Sequence, residues 1–162
     1  MANTVLVVDM LRGFLEAGKP PMGTMPHPLI ICYRDTVAAT IAFDRHMPPE
    51  VPRISLVDTF KDEAEESLRV AQALKERLQG VRLDTPAERG QVTVDLVKEV
   101  RARLDQAGFP YVGIVVSGGL DVERIRQFRE AGAPIMAFGV GHYISGAPPI
   151  DFTADLHEIE GM

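Results

Sequence analysis

Short apolar runs along the chain each end in a residue with something to offer a ligand. Asp9 closes Thr4–Asp9, Asp58 and Thr59 follow Ile54–Val57, Asp84 and Thr85 follow Val81–Leu83, Ser117-Gly118-Gly119 follow Val112–Val116, and Gly139–Gly141 follow Pro134–Phe138. In parallel α/β architectures ligands sit beyond the carboxyl ends of the strands, so these terminal residues are the candidate chemistry. Carboxylates there can hold sugar hydroxyls or a divalent cation, and glycine turns leading into helices present unpaired backbone N–H groups to an anion. One helix terminus contributes only about 0.3–1 kcal/mol to an exposed anion. Two neighbouring glycine turns, "SGGL" and "FGVG", are therefore more telling than either alone, and together with the carboxylates they suit a phosphosugar. Taken singly, each signal also has a plainer reading, since glycines after strands make turns and an Asp there caps the next helix. His27 reads as a residue that caps or lines a loop. His46, His142 and His157 have no metal-ligand spacing, so a zinc site is not expected.

The elements that must position these residues alternate. Five β-rich runs (Thr4–Asp9, Ile54–Asp58, Val81–Asp84, Val112–Ser117, Pro134–Gly139) are separated by segments of helical character, Leu29–Arg45, Asp62–Gln79, Thr93–Ala107 and Asp121–Ala131. The runs are short and mostly apolar, as in parallel strands covered on both faces. In the second helical segment Leu68, Ala71, Leu74 and Leu78 form one stripe, acids gather at its start and Gly80 follows its end. In the third, Thr93 is the candidate N-cap, Leu96, Val97, Val100 and Leu104 the stripe, and Gly108 the stop. Gly18–Pro28 reads as a long loop and Pro148–Met162 as a weakly structured tail. The expectation is a single α/β domain over residues 1–162: a parallel sheet of about five strands with crossover helices, either a partial (βα) barrel or an open flavodoxin-like sheet.

The 162 residues carry a net charge of −6, with basic residues interleaved among acids, which disfavours a nucleic-acid surface. Cys32 is the sole cysteine, so neither a disulfide framework nor a cysteine zinc site is expected. The apolar start runs into Asp9 without a basic leader and reads as a strand, not a membrane span or signal peptide. A cytoplasmic protein without a membrane partner is the expectation.

Five ordered blocks, "GTMPH" (Gly23–His27), "LVDTF" (Leu56–Phe60), "GVRLDTPAERG" (Gly80–Gly90), "VVSGGLDVERI" (Val115–Ile125) and "FGVGHYISGAPPIDFTAD" (Phe138–Asp155), resemble nicotinate phosphoribosyltransferase. The resemblance implies an NAD-salvage enzyme that joins nicotinate to phosphoribosyl pyrophosphate, coupled to ATP and requiring Mg2+; a homo-oligomer is expected separately, because the chain is too short for a full barrel and another copy could complete a half-barrel. It makes His27 the phosphorylatable histidine and, with Asp58 and Asp84, part of the catalytic set. Arg82 would face the pyridine carboxylate, with Thr85 also substrate-binding; the plain alternative for Arg82 is a surface ion pair. Asp58 and Asp84 would hold ribose hydroxyls or the metal, and Ser117, Gly118, Gly119, Gly139 and Gly141 would receive the 5'-phosphate. His142 departs from the family, which commonly places a small hydroxyl residue there, and the blocks match only its later barrel portion.

Upstream, "NTVLVVDMLRGFLEAG" resembles the opening strand of the nicotinamidase and isochorismatase hydrolases, whose Asp falls at Asp9. Neither their lysine segment nor their cysteine segment follows, and Cys32 comes too early, so amidase activity is not expected. Residues 1–22 are then a hydrolase-like strand and loop, and 23–162 a partial phosphoribosyltransferase barrel. The competing readings are a catalytically inactive phosphate- or nucleotide-binding remnant and a chimeric α/β fragment.

Overall fold

The structure is a computed structural model that describes residues 25–141. Two helices, α1 (His27–Tyr33) and α2 (Thr36–His46), precede a regular alternation: β1 (Ile54–Leu56), α3 (Glu63–Leu74), β2 (Gly80–Leu83), α4 (Val94–Gln106), β3 (Gly113–Val116), α5 (Val122–Glu130) and β4 (Ala137–Phe138). The three helices after β1 begin as local chemistry dictates. Asp62 accepts from Glu65 N, Thr93 from Leu96 N and Asp121 from Arg124 N, each satisfying a donor that the helix itself leaves unpaired.

The expected helix Leu29–Arg45 is instead two. Arg34 takes a left-handed conformation (φ 56°), and Asp35 starts afresh as the N-cap of α2, accepting from Ala38 N at 2.8 Å. The segment expected to run from Asp62 to Gln79 stops its α-helix at Leu74, because Lys75 also has positive φ (52°) and a single 3-10 turn follows. That turn brings Leu78 into the core, where it is fully buried.

All strand pairs are parallel, and the order is β1-β2-β3-β4. Among the described strands, neighbours in sequence are neighbours in the sheet, with no reversal. A flavodoxin-like sheet places its first strand between the second and third, an order the described strands do not show; their sequential parallel pairing is the one a (βα) barrel segment uses. Four of the five expected strands are observed. Thr4–Asp9, the first, lies outside the described residues, as do Asp9, His142, the start of the Gly18–Pro28 loop and the Pro148–Met162 tail.

Period-two alternation decides which side chains meet. Val81, Leu83, Ile114 and Val116 face α3, α4 and α5, where Val70, Leu74, Val97, Val100, Leu104 and Phe128 complete the main core. Each fully buried aliphatic there contributes about 1.5–3 kcal/mol. A second cluster, Met25, Ile30, Ala39, Phe43 and Leu56, seats α1 and α2 beside β1. At the opposite end from the candidate chemistry, Arg53 stitches the connection into β1. Its guanidinium donates to the carbonyls of Asp44, Met47, Pro48 and Val51 and to the Asp44 carboxylate.

The pairing register is what builds a site. Leu56 pairs with Arg82, Arg82 with Val115, Leu83 with Val116, and Val116 with Phe138. Continued one or two steps past the strands, the same register sets Asp58, Asp84, Ser117 and Gly139 in a single row. Being an even number of residues beyond Leu56, Arg82, Val115 and Ala137, they share the face that Arg82 occupies.

Candidate functional site

The row carries a connected set of polar groups. Ser117 is nearly buried, and its hydroxyl donates to Asp84 Oδ1 at 2.9 Å while accepting from Arg82 NH1 at 3.1 Å. Those directions are forced, because a guanidinium can only donate and an ionised carboxylate can only accept. Arg82 NH1 also reaches Asp84 Oδ2 at 3.3 Å, and its NH2 donates to the Met25 carbonyl at 2.7 Å. The Arg82 side chain is 14% exposed and pairs with Asp84, so the ion pair expected as its plainer role is present but lies inside the site instead of on the open surface, with the guanidinium oriented from three sides.

Asp58 is the most buried member. Its side chain is 0% exposed, Oδ1 lies 3.1 Å from His27 Nε2, and Oδ2 has no hydrogen-bond partner among the described residues. Burial pushes its carboxyl above the ordinary range; the neighbouring His27 pulls it back, and the negative charge of Asp84 raises it further. His27 is 38% exposed at the start of α1, so one edge of its ring is held by Asp58 while the ring as a whole remains reachable.

The glycine turns divide in role. Gly118 (φ 87°) and Gly119 (φ 58°) adopt backbone conformations that L-residues resist, and their N–H groups make no hydrogen bond to the described residues. A Cβ on Gly118 would lie 2.8 Å from Asp84 Oδ1, so this glycine also makes room for the carboxylate. Gly139 differs: its N–H donates to Val116 O at 2.8 Å and is already engaged. It does bring the two turns together, since a Cβ there would stand 3.0 Å from that of Ser117. The ends of β3 and β4 are thus adjacent, and Gly141 follows two residues on.

Two of the expected site residues have their polar atoms engaged within the protein. Thr85 is 4% exposed and its hydroxyl donates to Glu63 Oε1 at 2.7 Å, so in this arrangement it supports the turn and does not present its hydroxyl to a substrate. Asp84 has both oxygens engaged by Ser117 and Arg82, and the described residues contain no cluster of three or more His, Cys, Asp or Glu able to hold a metal. Glu63 and Arg89 were not legible as site residues. Arg89 NH1 donates to the Asp58 carbonyl at 2.6 Å, and its NH2 lies 3.5 Å from Glu63 Oε1. The block "TPAERG" was the available signal for Arg89; Glu63 read only as a first-turn acid. A separate groove of about 360 Å³, lined by Gly90, Thr93, Arg124 and Phe128 among others, lies to one side and contains none of the row.

Chemically, the row offers a buried carboxylate with one open oxygen, a histidine held by that carboxylate, an oriented guanidinium and a turn with two open amides. No helix among the described residues is long and apolar enough to cross a membrane.

The chain is 35% identical over 151 residues to nicotinate phosphoribosyltransferase pncB2 of Mycobacterium tuberculosis, covering 90% of this chain and 31% of that protein. It is 32% identical over 136 residues to the nicotinate phosphoribosyltransferase of Bacillus subtilis, covering 78% and 26%. The solved nicotinate-nucleotide pyrophosphorylase of Pyrococcus furiosus superposes with a TM-score of 0.78 at 45% identity, covering 88% of this chain and 36% of that one. The chain therefore spans about a third or less of the length of these relatives. The family model for the quinolinate phosphoribosyl transferase C-terminal domain matches residues 20–155, leaving the hydrolase-like stretch at Asn3–Gly18 wholly outside the match and without support. With the match covering most of the chain and the strand-end row in place, this chain belongs to the quinolinate phosphoribosyl transferase C-terminal domain family.

Proposed function

We propose that this chain forms the phosphoribosyl-binding part of an NAD-salvage enzyme that makes nicotinate mononucleotide and pyrophosphate from nicotinate and phosphoribosyl pyrophosphate. The observation that carries the reading is the row Asp58–Asp84–Ser117–Gly139, which sets carboxylates, an oriented arginine and an anion-accepting turn on one face. The Gly118 and Gly119 amides take the 5'-phosphate at the start of α5, where the helix N-terminus adds to the attraction. Arg82, oriented by Met25 O, Ser117 and Asp84, receives the pyridine carboxylate.

Phosphoribosyl transfer develops positive charge on the sugar ring, and the carboxylates of Asp58 and Asp84 stabilise that charge from fixed positions. Mg2+ fits one feature of the site: Asp58 Oδ2 is buried and unpartnered among the described residues, an oxygen of the type this ion takes. Mg2+ characteristically uses one or two carboxylates plus substrate phosphates, so Asp58 would hold it together with pyrophosphate oxygens, and it would neutralise the leaving group. ATP coupling is assigned to His27, whose ring is reachable and whose Nε2 is held by Asp58.

A turnover assay with nicotinate, phosphoribosyl pyrophosphate, Mg2+ and ATP tests this reading, with a parallel quinolinate arm because the family model carries that name. Product from nicotinate supports it; product from quinolinate alone moves the substrate to the dicarboxylate. The second reading is a phosphate- or nucleotide-binding protein without turnover, which the open Gly118 and Gly119 amides would serve equally well. Calorimetry showing nicotinate mononucleotide binding without product in either arm selects it.

A further inference from the structure

We propose that Glu63 is a positioning residue of this site: it locks the turn after β1 to the turn after β2, and so sets where Asp58 and Asp84 stand relative to each other. The inference deepens the phosphoribosyl-binding reading and rests on it for the ligand used below, but the lock itself is defined by contacts already described.

Glu63 opens α3, five residues after Asp58. Three acids occupy the first turn of that helix, and they do three different things. Glu65 is exposed and pairs with Lys61; Glu66 turns inward to accept from Thr36 at 2.6 Å; Glu63 reaches across to the neighbouring turn. There it accepts the Thr85 hydroxyl, one residue past Asp84, with both partners buried. It also faces Arg89 NH2 at 3.5 Å, while Arg89 NH1 returns to the Asp58 carbonyl at 2.6 Å.

The contacts close a ring: Asp58 backbone, Glu63, then Thr85 and Arg89 of the next turn, and back to the Asp58 backbone. A helix-dipole role would require only a negative charge near the start of α3. It would not require a buried side chain directed at the adjacent turn, nor an arginine bridging that side chain to the Asp58 carbonyl. The pleat carries Asp58 and Asp84 to the same face, but both lie beyond the last paired residues, Leu56 and Leu83. Their spacing therefore depends on side-chain contacts as well as on the sheet, and the ring is a tie that joins the turn after β1 directly to the turn after β2.

The test compares Glu63→Ala, Glu63→Gln, Thr85→Val and the Glu63→Ala/Thr85→Val double variant, each first shown to keep cooperative thermal unfolding. Two readouts are used: calorimetric affinity for nicotinate mononucleotide, and ligand-free amide hydrogen exchange across residues 58–61, 84–90 and 113–116. Glu63→Ala should weaken binding about tenfold or more, the scale of a lost hydrogen bond to a charged group, and speed exchange in both 58–61 and 84–90 while sparing 113–116. Glu63→Gln should recover most of the affinity, because an amide oxygen still accepts from Thr85. The double variant should be no worse than Glu63→Ala, since both changes break one ring. Unchanged affinity in Glu63→Ala, additive losses in the double variant, or faster exchange confined to 58–61 would each overturn the proposal. Absence of mononucleotide binding in the unaltered chain would count against the functional reading instead, and the exchange pattern alone would then decide the lock.

Discussion

Replacing Gly118 with alanine separates two demands that one residue meets. The first is conformational: at φ 87° an L-residue is strained, by about 1–2 kcal/mol. The second is spatial. The new Cβ would stand 2.8 Å from Asp84 Oδ1, the oxygen that accepts from Ser117 at 2.9 Å, so the carboxylate must turn away and lose that charge-assisted bond. Losing it costs about 1.5–3 kcal/mol more. Gly119 is the internal control, because it too has positive φ (58°) but nothing lies within 4 Å of where its Cβ would be. Gly119→Ala should therefore cost about 1–2 kcal/mol, and Gly118→Ala about 2.5–5 kcal/mol. Urea unfolding of both, with m held common, measures the gap. Repeating the pair in an Asp84→Ala background should collapse the excess at Gly118, since the clashing oxygen is then gone. Equal midpoints for the two variants in the parent chain, or an excess that survives without Asp84, would refute the idea that Gly118 makes room for this carboxylate.

Arg53→Met removes the donors that satisfy four backbone carbonyls and Asp44 in the turn before β1, and should lower unfolding free energy by about 3 kcal/mol without altering ligand affinity, as measured by denaturation beside calorimetry. Glu66 is fully buried, and burial holds its carboxyl above the ordinary value of 4.5 despite the Thr36 hydrogen bond. A carboxyl whose folded pKa is raised stabilises the fold below its unfolded pKa and loses that contribution as pH rises through the folded one. Stability measured against pH should therefore fall for the parent relative to Glu66→Gln on going upward from about 4.5; parallel curves would contradict this. Arg82→Lys keeps the charge but loses the planar fork that contacts Met25 O, Ser117 and Asp84 together, so affinity for nicotinate mononucleotide should fall about tenfold or more with only a small change in melting temperature.

Much of the scaffold was readable directly from the chain. Asp62, Thr93 and Asp121 announce helix starts because a cap acts within three residues of itself. Runs such as Gly113–Val116 announce strands because β-branched residues suit a pleat covered on both faces. Once strands are recognised, the placing of Asp58, Asp84 and Ser117 at their ends follows. The break at Arg34 was not readable, since the helical pattern continues across it and the competing signal, Asp35 as a cap, looks the same as an ordinary helical aspartate.

Which partner each site residue meets was decided only by tertiary contact. His27 meets Asp58 across 31 positions, Ser117 meets Asp84 across 33, Thr85 meets Glu63 across 22, and Arg82 meets the Met25 carbonyl across 57. Sequence periodicity decided which face each side chain points to, because that depends on the backbone's own repeat. Which partner a polar atom finds on that face depends on how separate turns are brought together, and no local pattern encodes that. Thr85 and Gly139 show the difference: residue type marked both as ligand contacts, and packing engaged the hydroxyl of one with Glu63 and the N–H of the other with Val116.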